Sequence, residues 1–222
     1  MRLALFDLDH TLIPLDSDHA WGEFTVDLGW RDADSFSRAN DGFYADYKAG
    51  TLDIHAYVRF ATGAVREHGQ AQARQAHERF MQQVIRPAMT DTATALVRAH
   101  QAAGDEVVIV TATNEFVTRP IAHAFGVDEL IAIELQTDAR GEFTGDIKGV
   151  PSFREGKVAR VEQWLAARGL DWSRVQHSTF YSDSINDLPL LEKVHEPVAT
   201  NPDARLRAVA LDKGWRILHL FE

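Results

Sequence analysis

Apolar and polar positions along the chain form two kinds of text. From residue 3 to 6 the run Leu-Ala-Leu-Phe is unbroken, the pattern of a short strand buried on both faces. The pattern returns in Val107-Val-Ile-Val110, which predicts a second strand ending at Thr111. Leu130–Leu135 predicts a third, and Ser178–Tyr181 a fourth running into Ser182-Asp183. Pro197–Ala199 and Trp215–Leu220 predict two more. Between these runs, apolar residues recur at helical spacing. Ala93, Leu96, Val97 and His100 share a face stopped by Gly104; Val158, Val161, Trp164 and Leu165 share another that ends near Gly169. Asn201-Pro202 is expected to open a helix, Asn as cap and Pro in the first turn, that Gly214 closes. Arg140-Gly141 and Thr144-Gly145 place a small hairpin within Asp138–Ile147. Such alternation predicts an α/β fold with a doubly wound, mainly parallel sheet, built from residues 1–14 and 89–222.

Residues 15–88 read differently, with no convincing strand. Four amphipathic faces follow one another: Trp21, Phe24, Thr25, Leu28; then Phe36, Phe43, Tyr44, Tyr47; then Ile54, Tyr57, Val58, Ala61, Val65; then Ala73, Ala76, Phe80, Val84, ending before Pro87. Gly29, Gly50 and Gly69 stop the first three. A small all-helical bundle inserted after the first strand is expected, at the carboxyl end where open α/β sheets bind ligands. It would then act as a cap over a site. Trp21, Tyr44 and Tyr47 read first as core aromatics of this bundle and second as pocket lining.

The chemistry begins in the segment LALFDLDHTL, where an apolar strand ends in Asp7 and Asp9. Buried carboxylates are costly, so a strand tip that holds two suggests a task. In a parallel sheet the strand ends bring Asp7, Asp9, Thr111, Asp183 and Asp187 to one rim, which Lys157 can reach from the start of its helix. Carboxylates at close range raise one another's pKa, and a divalent cation relieves this. All-oxygen ligands suit a hard ion, Mg²⁺ above all when a phosphate shares the site. Thr111 offers a hydroxyl and Lys157 a charge to a phosphate, so the set has the parts of a phosphoryl-transfer site. Asp16 follows closely enough to face the same site, and His10 flanks it without a ligand role. Lys148 is the competing lysine.

The whole-chain numbers narrow the field. The chain has 222 residues, 45% hydrophobic and 25% charged, ample for a packed core. A formal charge of −10 argues against nucleic acid as the main partner. The absence of cysteine excludes disulfides, thiol catalysis and zinc-thiolate sites. The strand pattern starting at Arg2 and the lack of any membrane-length apolar run lead to the expectation of a soluble, cytoplasmic protein with no membrane partner.

DLDHT, the strand-borne Thr111, Lys157 and SDSIND, in this order, resemble the four motifs of the haloacid dehalogenase superfamily over nearly the whole chain. The helical insertion is similar to that of the subfamily containing phosphoserine phosphatase, as are DSDHAWGEF after the first motif and NPDARLRAVALDKGW near the end. The resemblance implies a Mg²⁺-dependent phosphatase acting on a small phosphorylated metabolite. It implies that Asp7 attacks phosphorus and becomes an aspartyl-phosphate, and that Asp9 protonates the leaving oxygen and then activates water. It implies that Thr111 and neighbouring backbone N–H groups, Ala112's among them, hold phosphate while Lys157 neutralises charge. Asp7, Asp183 and the carbonyl of Asp9 would bind the metal, with Asn186 and Asp187 in support. Asp16 stands where phosphoserine phosphatases carry a substrate-contacting glutamate. The chain departs from that pattern in having Thr111-Ala112-Thr113 for Ser-Gly-Gly, and in lacking a marked cap arginine, Arg38 and Arg59 being equal candidates. Pro120 falls inside the helix expected after Thr113 and should shift its start or kink it. Phosphoserine and histidinol phosphate are the substrates the subfamily suggests. A phosphotransferase or phosphomutase on this scaffold, or a binding protein that kept the fold, are the alternatives.

Overall fold

In the computed structural model, which describes residues 1–221, β1 (Arg2–Phe6) lies inside a six-stranded sheet. It pairs in parallel with β2 (Glu106–Asn114) on one side and β6 (His177–Ser182) on the other. With β3 at Glu129–Ile133, β7 at Glu196–Thr200 and β8 at Arg216–Leu218, the strand order is β3-β2-β1-β6-β7-β8. All five pairings are parallel. Alternate residues of β1 serve opposite faces, as the pleat requires. Ala4 and Phe6 join one core cluster with Ile109 and Tyr181. Leu3 and Leu5 join the other with Val108 and Phe180. The first face is covered by α7 (Asp91–Ala102) and α8 (Glu115–Ala124), the second by α9 (Glu155–Ala166), α10 (Leu188–Leu191) and α11 (Ala204–Lys213).

Between β1 and α7 the chain is helical: α1 (Ser17–Asp27), α2 (Ala33–Ala49), α3 (Ile54–Ala61), α4 (Gly63–His68) and α5 (Gln70–Phe80). A π-helical turn, Met81–Ile85, and a last turn α6 (Arg86–Ala88) complete it. Trp21, Phe24 and Phe80 belong to the same apolar cluster as Phe6 and Ile109, so α1 and α5 pack directly on the sheet layer. A second sheet, the antiparallel pair β4 (Leu135–Thr137) and β5 (Phe143–Ile147), joins α3 through Val58, Leu135 and Ile147.

Several local expectations need correction. The apolar run Leu130–Leu135 is two strands, because the chain leaves the main sheet at Glu134 and Leu135 already pairs with Ile147. The hairpin therefore starts at Leu135, ahead of Asp138. The third helical face is split at Thr62, whose hydroxyl bonds back to the Val58 carbonyl. Pro87 sits within the last helical turn, directly after the π-helical segment Met81–Ile85 and before the helical run ends at Ala88. Asn201 is not a helix cap: it adopts φ 47°, and Asp203 caps α11 by accepting from the Leu206 N–H at 2.7 Å. The Asn201 side chain instead clamps loops, donating to the His10 carbonyl and accepting from the Leu220 N–H. Pro120 does lie inside α8, yet the helix starts at Glu115, directly after β2 and capped by Asn114. No helix among the described residues is long and apolar enough to cross a membrane.

Candidate active site

The site starts where β1 stops. The Asp7 N–H donates to the Tyr181 carbonyl at 2.9 Å, carrying the sheet ladder one residue past the strand. The chain then folds tightly, the Leu8 carbonyl accepting from the N–H groups of Thr11, Leu12 and Ile13. This turn places the Thr11 hydroxyl between two strand ends, 3.4 Å from Asp7 Oδ2 and 3.4 Å from Asp183 Oδ1, while it accepts from the Asp183 N–H at 3.0 Å. Asp7 and Asp183 are thus neighbours in a buried setting. Burial first, then the charges of Asp7 and Asp187, push the Asp183 carboxyl well above the usual range.

Lys157 is buried to 2% exposure and bonds Asp7 Oδ1 at 2.9 Å and Asp187 Oδ2 at 2.7 Å. Burial alone would lower its pKa, but the two carboxylates outweigh this and raise it. Asp187 also accepts from the Ser182 hydroxyl at 2.7 Å; burial and Asp7 still carry it up to about 6 against the pull of Lys157. Lys157 reaches the site because α9 starts against the loop before it. A Cβ on Gly156 would fall 2.0 Å from the Pro151 carbonyl oxygen, so only glycine permits this approach.

Asp9 is held differently. Its Oδ1 accepts from the Ser17 N–H at 2.9 Å and its Oδ2 from the Thr113 hydroxyl at 2.8 Å. Burial and the charges of Asp16 and Asp7 push it up to about 8, although the Ser17 hydrogen bonds act the other way. β2 runs on beyond Thr111 to Asn114, with a break in its register to β3 between Val110 and Asn114. The Ser152 hydroxyl donates to the Thr111 carbonyl at 2.6 Å, and Thr111 Oγ1 accepts from the Thr113 N–H at 3.1 Å.

These groups open into a cleft of about 990 Å³. Its lining includes Asp7, Asp9, Asp16, Thr111, Ala112, Lys157, Asp183, Asn186 and Asp187, the full set of predicted site residues. His10 lines it too. Lys148 does not: it faces Glu134 at the surface. Arg59 is paired with Asp146, and Arg38 is exposed; neither lines the cleft. The helical segment supplies the opposite wall through Phe43, Tyr44, Tyr47, Leu52, Ile54 and Tyr57. Trp21 is core, 1% exposed, as expected, but Tyr44 and Tyr47 are not. Tyr44 is 53% exposed at the cleft, and the Tyr47 hydroxyl lies 2.9 Å from Ser184 Oγ, tying α2 to the loop that carries Asp183. Helical spacing marks a face but not what that face meets.

Motif spacing assigned no role to Thr11, Thr113, Ser182 or Ser184, although each stands inside or beside a quoted motif. A hydroxyl residue within two positions of a site carboxylate is the signal that could have found most of them. Asp16 caps α1 by accepting from the N–H groups of Asp18 and His19. Asp18 lies behind it, bonded to Tyr57 and to Asn114 Nδ2, the latter at 3.1 Å. Burial, then the Asp16 charge, push Asp18 up to about 7 from 3.8. A folded-state pKa raised above the unfolded value means stability that is present below about 4 and lost as pH rises through about 7. Asp18→Asn is therefore expected to gain on the parent by roughly 2–4 kcal/mol between pH 5 and pH 8, read from urea unfolding. Equal differences at both pH values would refute this.

The donor set suits a hard cation. Asp7 and Asp183 are close enough to raise the proton affinity of Asp183, a strain that a divalent ion relieves. No group of three His, Cys, Asp or Glu side chains gathers as a ligand set among the described residues. Two carboxylates with a backbone carbonyl and waters remain, a set that Mg²⁺ accepts. Asn186 Nδ2, buried beside the Tyr47 hydroxyl, is a donor that could turn to such waters.

The profile for haloacid dehalogenase-like hydrolases matches residues 4–192. A histidinol-phosphatase of Neisseria meningitidis serogroup C (strain 8013) is 44% identical over 218 residues, 98% of each chain. A phosphoserine phosphatase of Mycobacterium tuberculosis (strain ATCC 25618 / H37Rv) is 31% identical over 217 residues, 96% of this chain and 69% of that one. Among solved structures, a protein of unknown function from Bordetella pertussis Tohama I superposes with a TM-score of 0.94 at 49% identity, covering 99% of both chains. A substrate-bound phosphoserine phosphatase superposes at 0.68 with 16% identity, covering 98% of this chain and 92% of that one, a likeness of fold.

Proposed function

Because the chain belongs to the haloacid dehalogenase-like hydrolase family, we propose that its cleft hydrolyses a small phosphate monoester through an aspartyl-phosphate on Asp7, with Mg²⁺ as cofactor. The observation that carries this is the pairing of Asp7 with a fully buried Lys157, beside a separately held Asp9. Histidinol phosphate is the first substrate to test, since the 44% identical relative is named for it. A cytoplasmic setting fits a chain without cysteine.

In the first step an Asp7 carboxylate oxygen forms a bond to phosphorus. The bond to the ester oxygen breaks, its electron pair staying on that oxygen, and Asp9 supplies the proton that makes it an alcohol. In the second step water adds to phosphorus and gives a proton to Asp9. The bond between phosphorus and Asp7 breaks and returns its pair to the carboxylate. Lys157 holds Asp7 in place and offsets phosphate charge, and Thr111 with the Ala112 N–H receives phosphate oxygens. Asp7, Asp183 and the Asp9 carbonyl would hold Mg²⁺, with Asn186 and Asp187 supporting its waters; the ion supplies Lewis-acid charge stabilisation. The wall from α2 and α3 excludes bulk water and sorts leaving groups.

The test is release of inorganic phosphate from a panel of metabolite monoesters, histidinol phosphate and phosphoserine included, with Mg²⁺ and with excess chelator. Turnover of one or two compounds that chelator abolishes is the expected result. A silent panel would overturn the proposal, and phosphate transferred to a second alcohol with none released would make the protein a phosphotransferase.

A further inference from the structure

We infer that Thr113 is a positioning residue that presents the Oδ2 atom of Asp9 to the leaving-group oxygen. This rests on the proposed role of Asp9 as proton donor, and it concerns a position where the phosphoserine phosphatase pattern has glycine and no hydroxyl.

The two oxygens of Asp9 have unlike partners. Oδ1 accepts from the Ser17 backbone N–H at 2.9 Å, a group that can only donate. Oδ1 is pinned by that N–H, with the Ser17 hydroxyl also against the carboxyl, so Oδ2 is the oxygen placed to exchange a proton with a leaving group. Oδ2 accepts from the Thr113 hydroxyl at 2.8 Å. A hydroxyl both donates and accepts, and it turns about its own C–O bond. Thr113 therefore holds Oδ2 while that oxygen is bare, and turns its O–H away when Oδ2 carries a proton, which leaves the proton free to face the leaving oxygen with no heavy atom moving.

The hydroxyl is itself well placed. Thr113 is buried in the last part of β2, its N–H held by Thr111 Oγ1 at 3.1 Å. Its branched Cβ limits side-chain rotation. Thr111 and Thr113 both line the cleft, so one threonine serves the phosphate region and the other serves the carboxyl that gives the proton. Both Thr113 and Asp9 line the cleft, which leaves Oδ2 within the space a leaving group enters. Valine keeps the shape of threonine and loses the hydroxyl; serine keeps the hydroxyl.

The experiment compares kcat/KM for the parent, Thr113→Val, Thr113→Ser and Asp9→Asn with Mg²⁺ on two substrates. One is 4-nitrophenyl phosphate, whose alcohol departs with little need of a proton. The other is an alkyl phosphate that the parent hydrolyses. This ratio counts only steps up to departure of the alcohol, so water attack does not enter it. Thr113→Val is expected to lower kcat/KM on the alkyl ester by about 10–100-fold, and on the aryl ester by at least about fivefold less. Thr113→Ser should restore most of the loss, and Asp9→Asn should show the same selectivity more strongly. Thermal melts of the variants show whether they fold. Equal losses on the two esters for Thr113→Val, or no loss on the alkyl ester, would overturn the inference while Asp9→Asn keeps its selectivity. Should Asp9→Asn lose both substrates equally, the role of Asp9 as acid falls and the inference with it.

Discussion

Asp7→Asn is expected to abolish phosphate release while leaving the metal-free protein at least as stable as the parent. The loss should reach about 10³-fold or more, because an amide oxygen does not replace a carboxylate nucleophile. Folding should survive for reasons visible in the contacts. The Asp7 N–H, which continues the ladder to Tyr181, is unchanged by the substitution. Lys157 keeps its 2.7 Å bond to Asp187. What disappears is a negative charge that raises the proton affinity of Asp183 and of Asp187. Losing it relieves repulsion at Asp183 and Asp187 in the metal-free protein, which offsets the weakened contact to Lys157. With Mg²⁺ present the order should reverse. Ligand binding stabilises the parent in proportion to site occupancy, and the asparagine side chain takes away one of the two carboxylate ligands. Thermal melts with and without Mg²⁺ read this directly: a sizeable upward shift for the parent, little or none for the variant. Activity within about tenfold of the parent would remove Asp7 from the role of nucleophile.

Lys157→Met carries the largest expected effect on stability. Methionine is flexible enough to occupy the space of the lysine stem. Its substitution leaves Asp7 and Asp187 buried without their cation, and removing one partner of a buried ion pair costs about 3–5 kcal/mol. The penalty should depend on pH with a definite sign. Asp187 stands at about 6 even with Lys157 beside it, above its unfolded value. Without the ammonium its folded-state pKa moves higher still. A raised carboxyl pKa means stability present at low pH and lost as pH rises through the folded value. The variant should therefore lie closest to the parent near pH 4 and furthest from it near pH 8, as measured by urea unfolding. Equal stability at pH 8 would show that the buried contacts of Lys157 contribute nothing. Phosphate release should fall as well, since Asp7 loses the group that holds it in place.

Much of this arrangement could be read from the chain alone. A strand buried on both faces is mostly apolar, so β1 and β2 announce themselves as short unbroken runs, Leu3–Phe6 and Val107–Val110, while β6 mixes buried hydroxyls, Ser178 and Thr179, with Phe180 and Tyr181. A parallel sheet then places all their carboxyl ends on one rim. Asp7, Thr111 and Asp183 stand at or next to the ends of those runs, which is why the main part of the site was legible without coordinates. Lys157 was harder to see. A lysine at a helix start is ordinary, and its meaning came from order along the chain.

Contacts between distant segments were not legible, because spacing along a chain carries no information about what a face meets. The same helical periodicity that marks Phe36 and Phe43 marks Tyr44 and Tyr47, yet the last two line the cleft and Tyr47 reaches Ser184. The run Leu130–Leu135 looked like one strand, since hydropathy does not reveal where a chain changes sheets. Asn201-Pro202 had the composition of a helix start, but Asn201 was drawn into loop contacts with His10 and Leu220, and Asp203 took the cap.

The sequence by itself determined the fold class, the rim and the residue types gathered there, because burial and strand direction follow from local pattern. Tertiary structure alone decided which groups touch: Thr11 between Asp7 and Asp183, Lys157 across two carboxylates, Thr113 on Asp9. Hydrogen bonds and ion pairs act over about 3 Å, and only the packing of segments more than a hundred residues apart sets distances on that scale.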